Sequence, residues 1–152
     1  MLIDMKKIIL IVLSVFTLLM FAKCGSGKEY IQVSFKSYDN SNGGNAVVVT
    51  IYQLTNADKF RLASFESLTK NAVAALGSDL IPNASYEKTM VPGESFNLDE
   101  LEIKKEASFL GVMADFHSPA ADGWQSVIDL KDGVDKLIVK VEENSINVQV
   151  EN

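Results

Sequence analysis

The sequence predicts a mainly β protein, an antiparallel β-sandwich with a small helical insertion, preceded by a signal peptide. Three observations predict it. Seven or eight short segments alternate or concentrate apolar residues and are separated by turn signals. One interval keeps helical spacing instead. An unbroken apolar run lies close behind the first methionine.

That run comes first. Lys6 and Lys7 precede Ile8–Phe21, 14 residues without a charge. As a helix rising about 1.5 Å per residue it spans roughly 21 Å, short of a hydrocarbon core about 30 Å thick. A basic start followed by a short greasy stretch reads as a secretory signal peptide over residues 1–23 rather than a permanent span. Cys24 follows at once, in Met20-Phe21-Ala22-Lys23-Cys24. A small residue two positions before the cysteine resembles a lipobox, and Lys23, beside the cysteine, departs from it. Cys24 is the only cysteine, so no internal disulfide forms, and acylation gives the lone thiol a role. Diacylglycerol on Cys24 plus an N-acyl chain holds a protein durably, where one chain does not. Gly25 stands where an Asp would mark inner-membrane retention, so the expected location is the outer membrane, facing the periplasm. Residues 24–29 are small and polar and read as a flexible tether. Residues 30–152 form the folded domain.

Within that domain Tyr30–Ser37 alternates, with Ile31, Val33 and Phe35 on one face. Ala46–Leu54 is apolar on both faces and reads as a central strand. Between them lies Tyr38-Asp39-Asn40-Ser41-Asn42-Gly43-Gly44-Asn45. Asn42-Gly43 is a hairpin-turn signal because both residues accept positive φ, yet the polar flanks fit a protruding loop equally well. Ala57, Phe60, Arg61, Ser64, Phe65 and Leu68 keep helical spacing, with Thr55 or Asn56 as the cap. Ala72, Val73 and Leu76 extend the stripe to Gly77, and Asn71 is an alternative cap for a second short helix. An apolar helical stripe needs a sheet face to cover. Ser85–Val91, Ser95–Ile103, Ala107–Phe116, Trp124–Leu130, Lys136–Glu142 and Ser145–Val150 complete the strands, with turns at Pro92-Gly93, Asp132-Gly133 and Glu143-Asn144.

Charge narrows the function. After Cys24 the chain has 11 basic and 19 acidic side chains and a single arginine, Arg61. Phosphate contacts need clustered cations, so nucleic acid is not an expected partner. An acidic domain favours a protein partner offering Lys or Arg. His117 is the only histidine. Asp115 shares a strand face with it, but two ligands do not make a zinc site. Ser118 points to the opposite face and is no nucleophile for His117. We expect no catalytic residues, no metal, no other cofactor and no small-molecule substrate. Asp99, Glu100, Glu102 and Glu106 read as a solvated edge, and Trp124 as core or rim, with partner contact the alternative.

The order of these pieces resembles a known family. A lipoprotein cysteine, a strand, a polar loop and Ile51-Tyr52-Gln53-Leu54 are followed by Phe60 and Phe65 in a helix. Then come Leu76-Gly77-Ser78-Asp79-Leu80, Val91-Pro92-Gly93, Leu110-Gly111-Val112-Met113-Ala114-Asp115-Phe116 and Trp124. This is similar to the outer-membrane lipoprotein of the type VI secretion system, the TssJ family. The resemblance implies a transthyretin-like β-sandwich with a helical addition. It implies binding to the periplasmic C-terminal region of the inner-membrane protein TssM, in assembly of the secretion membrane complex. It makes the loop Tyr38–Asn45 a partner contact. His117 and Gln125 stand where members often carry arginine. The alternative is a periplasm-facing lipoprotein binding module or inhibitor of unknown ligand, favoured by an aromatic-lined pocket between sheet and helix.

Overall fold

The computed structural model describes residues 28–152. The signal peptide and Cys24 lie outside the described residues. Eight strands form two four-stranded sheets. They are β1 (Glu29–Ser37), β2 (Val47–Leu54), β3 (Tyr86–Met90), β4 (Ser95–Ile103), β5 (Phe109–Ala114), β6 (Gln125–Asp129), β7 (Lys136–Val141) and β8 (Ile146–Glu151). One sheet has the order β4-β1-β7-β8 and the other β3-β2-β5-β6. Every segment expected from alternation is a strand, with ends moved by a few residues.

The inner faces build the core. Ile31, Val33 and Phe35 of β1 are buried, while Gln32 and Lys36 are exposed. Val47, Val49 and Ile51 oppose them from β2 of the other sheet, and Leu137, Val139 and Val141 lie beside them on β7. β2 and β5 are the central strands of their sheet, which is why their second faces are apolar as well.

Pairing is antiparallel except between β1 and β7, which run parallel from Gln32↔Lys136 to Ser37↔Val141. Chain direction imposes this. β6 ends, and β7 begins, at the end of the sandwich where β1 also starts, and the Gln32 N–H donates to the Asp135 carbonyl at 2.9 Å. A strand entering beside β1 from that end can only run with it.

The helical interval is broken in two places. α1 (Asp58–Leu62) follows Asn56, whose side chain accepts from the Asp58 N–H at 2.8 Å. α2 (Phe65–Leu76) is capped by Ser64, which accepts from the Ser67 N–H at 3.1 Å. Inside α2 Asn71 leaves helical geometry (φ −161°, ψ 82°), and its side chain accepts from the Ala74 N–H at 3.0 Å. The alternative cap at Asn71 is therefore used. The break shifts the phase of the stripe: Leu68 and Leu76 are buried, but Val73, expected on the apolar face, is 70 % exposed.

The insertion covers the outer face of the β3-β2-β5-β6 sheet. Phe60 is fully buried and lies over Gly111 of β5, where an added Cβ would stand 2.9 Å from its ring. Its ring also tilts against Tyr52 at 6.0 Å. Burying a phenylalanine in this way is worth about 1.5–3 kcal/mol. Phe65 meets Trp124 edge-on at 5.2 Å, so the tryptophan, 8 % exposed, is rim core. Burial pushes the Tyr52 hydroxyl up from its ordinary pKa, with a smaller opposing effect from Thr50.

β4 is an edge strand, and its acidic residues are solvated as expected. Glu102 faces two cations, Lys104 at 2.9 Å and Lys28 at 3.0 Å, which hold its carboxyl below the usual range. Charges along an edge discourage pairing with another chain.

Candidate functional site

Chain direction divides the sandwich into two ends. Lys28, the start of β1 and the end of β8 mark one. β1 runs nine residues to the other end, about 30 Å at 3.3 Å per residue. At that far end lie the loop Tyr38–Asn45, the turn 91–94, the segment 115–124 and the turn 142–145.

The loop Tyr38–Asn45 carries the chain from one sheet to the other, so it is not a hairpin, and the Asn42-Gly43 signal serves another purpose. Residues Ser41–Gly44 make a 3-10 turn in which Asn42, Gly43 and Gly44 have φ of 47°, 62° and 83°. That left-handed run turns the chain down onto β2, and it needs glycine or asparagine.

The loop is braced from within. The Ser37 and Ser41 hydroxyls are 2.6 Å apart and buried. Asn42 is 8 % exposed, and its amide donates to the Ala46 carbonyl at 2.7 Å while its oxygen accepts from the His117 N–H at 2.8 Å. Asn45 donates to the Asn42 carbonyl at 3.1 Å. The Tyr38 carbonyl accepts from the Ser41 and Gly93 N–H groups. Ser41 and Asn42 thus point inward. Tyr38, Asp39, Asn40, Gly43, Gly44 and Asn45 are exposed and are the part of the loop a partner can touch. The Lys36 ammonium sits 5.5 Å from the Tyr38 ring centre.

Neighbouring loops are tied in. The Ala120 N–H donates to the Asn144 carbonyl at 2.9 Å, and the Ile146 N–H to the Gly123 carbonyl at 2.7 Å. A cleft of about 300 Å³ opens between Asn42, Gly43, Asn45, His117, Ser118, Glu143 and Asn144. Composition did not single out Glu143 and Asn144 for this role, because only the fold brings the turn they occupy beside residues 42–45.

The other end is closed by Gln53. It is 2 % exposed on the inner face of β2, donates to the Glu102 carbonyl at 2.8 Å and accepts from the Lys104 N–H at 2.8 Å. A glutamine inside an apolar strand was the available signal, and it marks a link between sheets. Asp115 and His117 are exposed beyond β5, with Phe116 buried between them. Among the described residues no three His, Cys, Asp or Glu side chains converge as metal ligands. The space between sheet and helix, about 270 Å³, has one aromatic in its lining, Tyr52, among mostly polar residues.

A rigid two-sheet sandwich with a helical cover and its exposed chemistry gathered in loops defines a class of secretion-machine lipoprotein once it is set beside known proteins. A family model of type VI secretion lipoproteins (VasD, EvfM, TssJ) matches residues 37–152. The chain belongs to this type VI secretion lipoprotein family. No curated protein matches it. The fold is similar to the crystal structure of the T6SS lipoprotein TssJ1 from Pseudomonas aeruginosa, with TM-score 0.73 and 20% identity over 83% of this chain and 98% of that one. It is similar to a structure described as the type VI membrane complex, with TM-score 0.71 and 23% identity over 81% and 99%. A structure described as the T6SS protein TssM C-terminal domain from EAEC matches with TM-score 0.69 and 22% identity over 82% and 100%. The two sheets and small helical addition implied by the resemblance are the fold shared with these structures. Membership places the protein in a membrane-associated secretion assembly and implies lipid modification.

Proposed function

We propose that the protein is a non-enzymatic scaffold. Acyl chains on Cys24 fix it to the periplasmic leaflet of the outer membrane, residues 24–29 form the tether, and residues 30–152 present their loop end to the periplasmic C-terminal region of TssM. Family membership and the fold likeness to structures described as TssM and the type VI membrane complex support this reading. The observation that carries it is polarity: the tether enters at one end of β1, and the braced loops lie at the other. A domain built this way holds its loops about 30 Å from its attachment, toward a partner rising from the inner membrane.

Two measurements test it. Radiolabelled palmitate is incorporated into the full chain and lost in Cys24→Ser, which leaves the membrane fraction. The full chain retains the TssM periplasmic region in a pull-down, and a Tyr38→Ala/Asp39→Ala/Asn40→Ala variant retains less. Point changes are the right probe. A two-residue turn in place of Asp39–Gly43 would remove the buried Ser41 and Asn42 and the crossing between sheets. Palmitate on Cys24→Ser, or undiminished capture by the triple variant, sinks the corresponding half.

A further inference from the structure

The loop end carries five exposed acids that face no cation among the described residues. Away from the loops Glu102, Asp79, Asp58, Glu66 and Glu151 each face a lysine or arginine, while Asp99, Glu100 and Asp135 do not; in the turn 91–94 Glu94 faces Lys88. Asp39, Asp115, Asp122, Glu142 and Glu143 are all exposed toward the loop end, and none has a lysine or arginine at ion-pair distance among the described residues. Glu142 accepts only from the Ser145 hydroxyl at 3.1 Å, and Glu143 makes no hydrogen bond among the described residues.

Glu143 borders the cleft between the loops. So do the exposed side chains of Asn45, His117, Ser118 and Asn144. The cleft holds about 300 Å³, the space of about ten waters, which suits one side chain and not a folded element. Its walls are fixed relative to one another. The Asn42 oxygen holds the His117 backbone, and the Asn144 carbonyl holds Ala120. A pre-assembled pocket loses little freedom when it is filled.

We propose that this three-loop cleft is a receptor for a single lysine or arginine side chain of the periplasmic partner, with the Glu143 carboxylate as counter-charge and Asn45, Ser118 and Asn144 as polar walls. The inference rests on the scaffold reading above and adds which residues beyond Tyr38–Asn45 make the contact. The surrounding carboxylates draw the cation toward the cleft, and the cleft sets its register.

The experiment uses the full chain in detergent and the immobilised TssM periplasmic region, with biolayer interferometry at low and at physiological salt. Glu143→Lys weakens binding by about tenfold, chiefly through slower association, and flattens the salt dependence. Glu100→Lys, the same charge reversal on the exposed β4 edge, changes affinity less than about twofold. Near-UV circular dichroism is unchanged for both, as expected of exposed positions. Unaltered binding by Glu143→Lys, or equal weakening by Glu100→Lys, overturns the cleft and leaves the scaffold reading standing. No binding by the unaltered chain removes both.

Discussion

The Asn42 side-chain oxygen accepts the His117 backbone N–H at 2.8 Å, joining the loop that follows β1 to the segment that follows β5. Its amide also donates to the Ala46 carbonyl, so one buried carboxamide holds two stretches of chain. Gln53 performs the same service at the opposite end, between β2 and the last residues of β4. The sandwich is thus pinned at both ends by a carboxamide, which donates from its nitrogen and accepts at its oxygen without carrying charge.

Asn42→Ala leaves the His117 N–H and the Ala46 carbonyl without their partner. Both bonds are only partly buried, so water replaces them in part and each loss costs about 0.5–1.5 kcal/mol. Urea unfolding should show a lower midpoint with an unfolding free energy reduced by about 1–3 kcal/mol, and partner binding should weaken because the exposed loop residues lose their support. Asn42→Asp keeps the acceptor and should recover part of the stability.

Gln53→Leu removes both contacts between β2 and the end of β4, where β1 starts. The Glu102 carbonyl and Lys104 N–H then lose their partners, for a loss of about 2–4 kcal/mol, measured by chemical denaturation. The same position should leave capture of the partner by the folded protein unchanged, since it lies at the far end from the loops.

Gly111→Ala places a methyl group 2.9 Å from three carbons of the Phe60 ring. The ring is fully buried, so it must shift within packed surroundings. Overpacking of this kind costs about 1–3 kcal/mol. Phe60→Ala costs more, about 3–5 kcal/mol, and exposes the sheet face beneath. The double variant should fall short of the sum, because the single changes share one contact.

Lys88 donates to Glu94 at 2.7 Å and, together with the Val91 N–H, holds the Glu94 carboxyl below its ordinary pKa of 4.5. The unfolded chain therefore takes up this proton at a higher pH than the folded one. The contribution is complete above the unfolded value and is lost as pH falls through the folded value. Glu94→Gln should be less stable than the unaltered protein at pH 7, and the gap should narrow as the pH is taken from 7 to well below 4.5. A stability gap unchanged between those pH values would show that Glu94 makes no such contribution.

How much of this was legible in the chain differs from element to element. The strands were legible because alternation is local: Ile31, Val33 and Phe35 announce an inward face without reference to any partner. Asn71 was legible as a cap, since its side chain competes with the helix within four residues of sequence, but the Ser64 cap was not, because Ser64 also fits the helical spacing. Cys24 and its apolar leader are a sequence signal outside the described residues. The loop Tyr38–Asn45 was found as a loop, but which of its side chains face outward was not.

Strand partnership, by contrast, belongs to the tertiary structure. Nothing in Lys136–Val141 says that it runs parallel to β1, because that follows from where β6 leaves the chain. Asn42-Gly43 has the composition of a hairpin turn, and only the assignment of β1 and β2 to different sheets makes it a corner. The cleft between residues 42–45, 117–118 and 143–144 exists because three turns distant in sequence end at the same height. Local periodicity fixes which residues face inward, since backbone geometry repeats every two or 3.6 residues. Which faces meet is decided by packing the whole chain at once, and the cleft between the loops is made of those meetings.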